Sequence, residues 1–392
     1  MPKTIINIIV NWTFFKDSGM SGGDRIFIEL ARQWSQKKDC QINIFTNEPG
    51  ARMCKSYGLN NVKYFVSKAE KYDKYGTYIA GIARTIIGAK KLLSHHFPKN
   101  KQVIIYSSSD FWPDSIPALL AKLKNKQIKW VAGFFLFAPK IFSKDSPYKD
   151  KQPLRGIIYR LVQLPIYHLV KSFADTVFIT SKPDIKRFPN QKTVVIRGGV
   201  DTKPAKKYFK FQKNPKKIYD ALFIGRFHPQ KGVLELIDIW KLVVKKDPKA
   251  KLVIIGNGQL EEKMRQKISR LKLDKNINIV GFLDGEEKYK IFRQSKIVLH
   301  PATYDSGGMA AAEAMAWGLP GVSFNLEALK TYYPKGMIKT KCFDFNAFVK
   351  NIFLLLKDKK TYKKVSQEAK NLIYEEWDWE KRSDLIYCSL VN

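Results

Sequence analysis

Two acids, two bases and a set of glycines carry the chemistry legible in this chain. Asp305 and Glu313 stand eight positions apart in the stretch 301–324, PATYDSGGMAAAEAMAWGLPGVSF. Between them lie Ser306, Gly307, Gly308 and Met309, followed by alanines that favour a helix. A Gly-rich turn that opens a helix leaves several backbone N–H groups unpaired and aimed at one spot. Glycine lets a ligand approach that backbone, and the helix dipole draws electron-rich oxygens to it. A carboxylate accepts two hydroxyls, so one acid at the strand end and one on the helix suit a ligand with two separate diol faces. A sugar nucleotide is such a ligand. An ordinary strand-to-helix turn with a surface aspartate would use the same residue types.

The bases lie in Phe223–Gly232, FIGRFHPQKG. Gly225 and Arg226 follow a strand end, Lys231 comes five positions later, and Gly232 starts a helix. Two cations beside a helix N-terminus form a diphosphate site, and the G-x(4)-G-K-[ST] order of a Walker loop is absent. Gly256 and Gly258 bracket a turn after the apolar run Val253–Ile255, and Phe282 follows the run Ile279–Gly281, where it reads as a core residue. Near the N-terminus, Gly22 and Gly23 close a Gly-rich loop that opens a helix, and a flexible surface loop would read the same. His300 reads more readily as a packed strand-end residue than as a catalytic one, and Ser107–Asp110, which closes a strand, more readily as a surface turn than as one that faces the acceptor.

The elements that must position these residues alternate between apolar runs and amphipathic stretches, the pattern of parallel α/β layers. In the first half, strands are expected at 5–10, 41–46, 62–66, 103–106, 128–135, 176–180 and 193–196. Helices are expected from Gly22 to Trp34, from Tyr78 to His95 and from Leu154 to Phe173. The second half repeats the pattern with strands at 221–224, 252–255, 277–280, 297–299 and from Val322, then helices near 345–356, 362–375 and 379–390. A polar stretch rich in lysine and proline, 201–217, reads as the boundary. The expected domains are 1–205 and 206–375, with a terminal helix, 376–392, packing back towards the first. Ligands of such sheets bind beyond the carboxyl ends of the strands.

The stretch from Asp305 to Glu313 resembles the E-x7-E element of the family-4 retaining glycosyltransferases, with aspartate in the first acidic position. Phe223–Gly232 is similar to the family's G-R-x(4)-K-G element, and the turn at Gly256 and Gly258 resembles its nucleotide-base turn. The resemblance implies the GT-B fold: two facing Rossmann-like, doubly wound α/β domains with a cleft between them. It further implies that Asp305 and the amides of Ser306, Gly307, Gly308 and Met309 hold the donor sugar. Glu313 would hold the ribose, and Arg226 and Lys231 the leaving diphosphate. Gly22, Gly23, Gly225, Gly256 and Gly258 would line the donor site, with the first domain taking the acceptor. Many members carry a histidine after the fifth strand. Here that region reads Ala132–Phe137 without one, and no role is transferred to it.

Composition constrains the partners. The 392 residues suffice for two cored domains, and 45% hydrophobic residues argue against disorder. A formal charge of +35, spread along the whole chain, favours an anionic surface such as a membrane leaflet, a nucleic acid or a phosphate-bearing substrate. The basic, aliphatic stretches 78–91 and 154–173 could lie on an anionic membrane, or be core-facing amphipathic helices with solvated lysines. No run is long enough to span a bilayer, no signal peptide is recognised, and the four cysteines lack metal or redox spacing. The expected location is therefore cytoplasmic, either free or peripheral on the membrane's inner face. The expected activity is metal-independent, cofactor-free transfer of a hexose from a UDP- or GDP-sugar to a glycan or lipid-linked acceptor of the cell surface. A nucleotide-sugar epimerase or hydrolase keeps the fold and changes the chemistry. A basic nucleic-acid binder accounts for the charge but shows no recognition motif.

Overall fold

The structure, a computed structural model, describes residues 3–13, 21–138, 153–211, 216–304 and 308–391. The chain divides into two compact units, one holding the described residues of 3–198 and 379–391 and the other those of 199–378. The division falls at Gly198–Gly199, a few residues before the boundary expected at 205.

In the first unit the strands are β1 (Thr4–Val10), β2 (Cys40–Asn47), β3 (Lys63–Ser67), β4 (Gln102–Ser107), β5 (Lys129–Gly133), β6 (Thr176–Ile179) and β7 (Lys192–Val195). Its helices are α1 (Gly22–Trp34), α2 (Glu48–Ser56), α3 (Thr77–Leu93), α4 (Trp112–Lys124) and α5 (Pro153–Phe173). The strands pair in parallel in the order β3-β2-β1-β4-β5-β6-β7. Every residue of β1 is buried, as a central parallel strand covered on both faces requires. The fifth strand stops at Gly133, short of the expected Phe135. A Cβ at Gly133 would meet the carbonyl oxygen of Ser108 at 2.9 Å, so the neighbouring chain closes over the strand end there.

The second unit contains α6 (Lys203–Phe211), β8 (Tyr219–Ile224), α7 (Val233–Lys246), β9 (Leu252–Ile255), α8 (Glu261–Arg270), β10 (Ile277–Gly281), α9 (Gly285–Gln294) and β11 (Ser295–His300). It continues with α10 (Met309–Ala316), β12 (Gly321–Phe324), α11 (Glu327–Tyr332), β13 (Met337–Thr340), α12 (Phe345–Lys357) and α13 (Lys359–Glu376). The last helix, α14 (Trp379–Val391), belongs to the first unit, where Trp34 Nε1 donates to the Ser383 carbonyl at 3.0 Å. The second sheet is also parallel, in the order β10-β9-β8-β11-β12-β13. Alternate residues of its strands enter separate cores. Ala221, Phe223, Leu252 and Ile254 pack with Trp240 and Phe348, whereas Leu222, Val253 and Ile255 pack with Trp317 and Trp377. Helices therefore cover both faces.

Two elements depart from expectation. Within the stretch 201–217, expected to be a polar boundary, Lys203–Phe211 form α6, whose aromatic Tyr208 packs 5.5 Å from Trp317. Strand β13 was not foreseen, because MIKT is too short and too polar to stand out from its surroundings.

Candidate active site

The strand order of the second unit sets β8 beside β11 at its centre, where the chain changes direction across the sheet. Loops following such neighbours diverge and leave a crevice beyond the carboxyl edge. Backbone hydrogen bonds join the loops at that edge. Gly225 N–H donates to the Ile255 carbonyl at 3.1 Å, Phe227 N–H to Asn257 at 2.7 Å, and Gly256 N–H to Gly281 at 2.8 Å. On the other side, the N–H groups of Thr303 and Tyr304 both donate to the Gln230 carbonyl, at 3.0 and 3.3 Å. The segments carrying Arg226, Lys231, Gly256, Gly258 and Thr303 thus form one continuous rim.

Arg226 is exposed and Lys231 half-buried on this rim. Pro229–Lys231 form a short 3₁₀ turn, and Gly232 caps α7 with φ +65°, a conformation glycine adopts without strain. Lys231 therefore stands directly before the cap of a helix, with Arg226 five positions earlier on the loop that leads to it.

Asp305, Ser306 and Gly307 lie outside the described residues. The chain is described again at Gly308, which caps α10 with φ +76° and whose carbonyl accepts from the Tyr333 hydroxyl. A Cβ at Gly308 would sit 2.6 Å from the His300 ring, so the buried histidine closes the back of this turn, as expected for a packed strand-end residue. Met309 begins α10 half-buried. One turn on, Glu313 keeps 24% of its side chain exposed while its Oε2 pairs with Lys288 Nζ at 2.7 Å. The same ammonium meets Asp284 Oδ1 at 2.7 Å. Burial pushes the Lys288 ammonium down, but the Glu313 and Asp284 carboxylates outweigh it and hold the group at about 12. Lys288 was missed in the sequence; its only signal there is an aspartate four positions earlier on the same helical face, a common surface pairing. Phe282, expected in the core, is 44% exposed. Strand β10 is an edge strand whose register shifts at Gly281, so the ring that follows leaves the sheet.

The first unit carries a second polar centre where β1 and β4 adjoin. Gly22 and Gly23 open α1 behind a capping box formed by Ser21 and Asp24, and Gly23 lies against the Phe135 ring, 3.4 Å from where its Cβ would stand. The region lacking the family histidine therefore meets the Gly-rich helix start. Ser107, Ser108 and Asp110, expected on a surface turn, are buried instead. Asp110 accepts from Gln163 Nε2 at 2.6 Å, and Trp130 Nε1 donates to Ser107 Oγ at 3.1 Å. Nearby, the buried Asp114 accepts from the N–H groups of Asn11 and Trp12 at 2.6 and 3.1 Å and from the hydroxyls of Ser108 and Ser109. Burial raises Asp110 to about 6 and Asp114 to about 7.

Among the described residues no group of three or more His, Cys, Asp or Glu side chains could hold a metal ion. No described helix is long and apolar enough to cross a membrane.

Comparison with known proteins matches residues 204–372 to the family described as "Glycosyl transferases group 1". The chain is 27% identical over 159 residues to the poly(glycerol-phosphate) alpha-glucosyltransferase of Bacillus subtilis (strain 168), covering 40% of this chain and 23% of that protein. It is 29% identical over 147 residues to the phosphatidyl-myo-inositol mannosyltransferase of Mycobacterium tuberculosis, covering 37% and 38%. The chain spans less than half the length of the curated relatives it first matches. Among solved structures, Anabaena HepE in complex with UDP and glucose is similar with a TM-score of 0.68 at 15% identity, over 99% of both chains. Sucrose-phosphate synthase from Thermosynechococcus elongatus gives 0.72 at 15% identity, again over 99% of both. With two parallel Rossmann-like units, and solved structures of that architecture similar over nearly its whole length, the chain has the GT-B fold, and residues 204–372 in its second unit match the glycosyl transferases group 1.

Proposed function

We propose that the protein is a retaining glycosyltransferase that moves a hexose from a UDP- or GDP-sugar to a glycan or lipid-linked acceptor. The observation that carries this is the shared rim: the Arg226–Lys231 segment, the turn at Gly256 and Gly258, and the strand leading to Asp305 are hydrogen-bonded into one edge, with Glu313 on the adjoining helix. Such chemistry rests on positioning and on charge placed where it develops. Asp305 and the amides following it orient the hexose, Glu313 receives the ribose, and Arg226 with Lys231 stabilises the diphosphate as the glycosidic bond breaks. The acceptor hydroxyl attacks from the leaving-group face and gives its proton to the departing phosphate, so no protein nucleophile is required. UDP and glucose in the Anabaena structure support a UDP-hexose donor.

The charge of +35 supports an acceptor or surface that bears phosphate. The relatives whose names specify poly(glycerol-phosphate), poly(ribitol-phosphate) and phosphatidyl-myo-inositol agree with that choice. Work on such acceptors suits a peripheral position on the cytoplasmic face of a membrane. The two cations do the work a metal does elsewhere, and turnover is expected to persist in EDTA.

A thermal-shift panel of UDP-, GDP- and ADP-sugars tests the reading, because a donor that binds only folded protein raises its melting temperature. Product analysis follows. Nucleoside diphosphate release that rises sharply with acceptor supports transfer. Release or epimerisation independent of acceptor, or no shift with any donor, overturns it, as does inactivity of metal-free enzyme restored by Mg²⁺ for the metal-independent part.

A further inference from the structure

Resting on the donor site proposed above, we infer that Lys288 is a positioning residue of the nucleotide site. It clamps the Glu313 carboxylate so that the site distinguishes a ribose from a deoxyribose.

The chain holds 70 lysines and arginines, yet among the described residues Lys288 is the only buried lysine, at 6% exposed. Burying an ammonium is costly unless it is paired and hydrogen-bonded. Here it meets two carboxylates on different elements, Asp284 at the N-cap of α9 and Glu313 within α10, each at 2.7 Å. Tethering α9 to α10 for stability alone would be met as well by apolar side chains of similar volume.

What the lysine adds is direction. Glu313 sits on a short alanine-rich helix, MAAAEAMA, with a quarter of its side chain open to solvent. Left alone, a quarter-exposed glutamate would sample several rotamers and would have to be ordered by each incoming ligand. With Oε2 held by Lys288 Nζ, the plane of the carboxylate is fixed before the ligand arrives, and Oε1 is left to accept from a sugar hydroxyl. A fixed acceptor rewards a ligand that carries the hydroxyl and penalises one that lacks it, because the oxygen that the ligand covers is then left unsatisfied. Asp284 extends the tie to the loop after β10, which also carries the exposed Phe282 ring. The clamp therefore joins the loop at the end of β10 to the acid on α10.

The test is isothermal titration with UDP and 2′-deoxy-UDP, and with GDP and 2′-deoxy-GDP, of the full-length protein and its variants. The wild type is expected to bind the ribonucleotide about tenfold or more tightly than its deoxy counterpart. In Lys288→Met the ribonucleotide should weaken to the deoxynucleotide's level while the deoxynucleotide is unchanged, bringing the ratio to about one. Should Lys288→Met fail to fold, Asp284→Asn, which keeps the Lys288–Glu313 pair and loosens its anchor, is expected to lower the ratio several-fold. A wild-type ratio in the variant that folds overturns the inference. Equal weakening of both ligands also overturns it, since that is what a purely structural lysine would give. Wild-type protein that binds neither UDP nor GDP rejects the donor site itself, and the clamp with it, an outcome distinct from an unchanged ratio.

Discussion

A Cβ placed on Gly232 would lie 1.9 Å from the carbonyl oxygen of Pro301. The turn after β8 and the turn after β11 are therefore packed backbone against backbone, and the Gln230 carbonyl binds Thr303 and Tyr304 across the same seam. This contact brings the cations at 226 and 231 beside the loop that leads to Asp305. Gly232→Ala is expected to cost several kcal/mol, about 1–2 from its left-handed φ and more from the collision with a backbone that cannot yield. Gly285→Ala, also at positive φ but facing open space, should cost only the first part. Denaturant melts of the two variants check this; equal losses would show that the seam is not tight.

Arg226→Ala and Lys231→Ala should lower kcat by about 100–1,000-fold each, the size seen when a donor to developing negative charge is removed. Both side chains reach solvent on the rim, so the folded fraction and melting temperature should change little. Because the charge they meet grows as the bond breaks, Kd for the intact nucleotide-sugar should weaken much less than kcat falls. Steady-state kinetics with the donor found in the thermal-shift panel separates the two. A loss confined to KM would assign these cations to ground-state binding.

The elements at the rim were legible because they combine strong local signals. Apolar runs of four to six residues lead into glycine-bearing turns, and a helical pattern follows each one. The same signals located Arg226, Lys231, Gly256 and Glu313 relative to strand ends. Lys288 was hidden, because nothing in GEEKYKIFRQ separates a lysine turned inward onto a second helix from its solvent-facing neighbours. Asp114 was equally hidden. Its partners at Asn11 and Trp12 lie about a hundred positions away, and only the pairing of β1 with β4 brings them together. Phe282 misled for the opposite reason: an aromatic after an apolar run reads as core unless the strand is known to be at an edge.

Asp114 gives the protein a pH dependence whose sign can be worked out. Its carboxyl titrates near 7 in the fold, against an ordinary value of 3.8, because it is buried. Between about pH 4 and 7 the native state keeps a proton that the unfolded chain has lost. Its contribution to stability therefore falls by about 1.4 kcal/mol per pH unit across that window and is constant above it. Asp110 acts in the same sense up to about 6. Asn fits the Asp114 site, since its Oδ1 can accept from the Asn11 and Trp12 amides while its Nδ2 donates to a serine hydroxyl. Relative to wild type, Asp114→Asn should gain stability from pH 4 to 7 and then level off. Urea melts across this range check the difference, and a flat difference would mean that Asp114 is ionised throughout.

The outer face of α3 carries the last prediction. Tyr75, just before the helix, and Tyr78, Ile79, Ile82 and Ile86 along it are between 49% and 63% exposed, at a spacing that places them on one side. Lys74 lies over the Tyr75 ring at 4.9 Å, and the exposed Lys90 and Lys91 follow at the helix end. An apolar stripe edged by lysines suits the boundary of an anionic bilayer, where the isoleucines enter the acyl region and the ammonium groups meet lipid phosphates. The protein should cosediment with vesicles rich in phosphatidylglycerol at low salt, much less at 0.5 M salt, and hardly at all with phosphatidylcholine alone. The triple variant Ile79→Ser, Ile82→Ser, Ile86→Ser removes only solvent-facing apolar groups, so its fold should persist by circular dichroism. Each isoleucine buried in the interface is worth on the order of 1 kcal/mol, so the variant should bind anionic vesicles roughly a hundredfold less well. Undiminished binding would move the membrane contact to another face of the protein. No binding by the wild type to any of these vesicles would remove the membrane from the account and leave the positive charge to the acceptor.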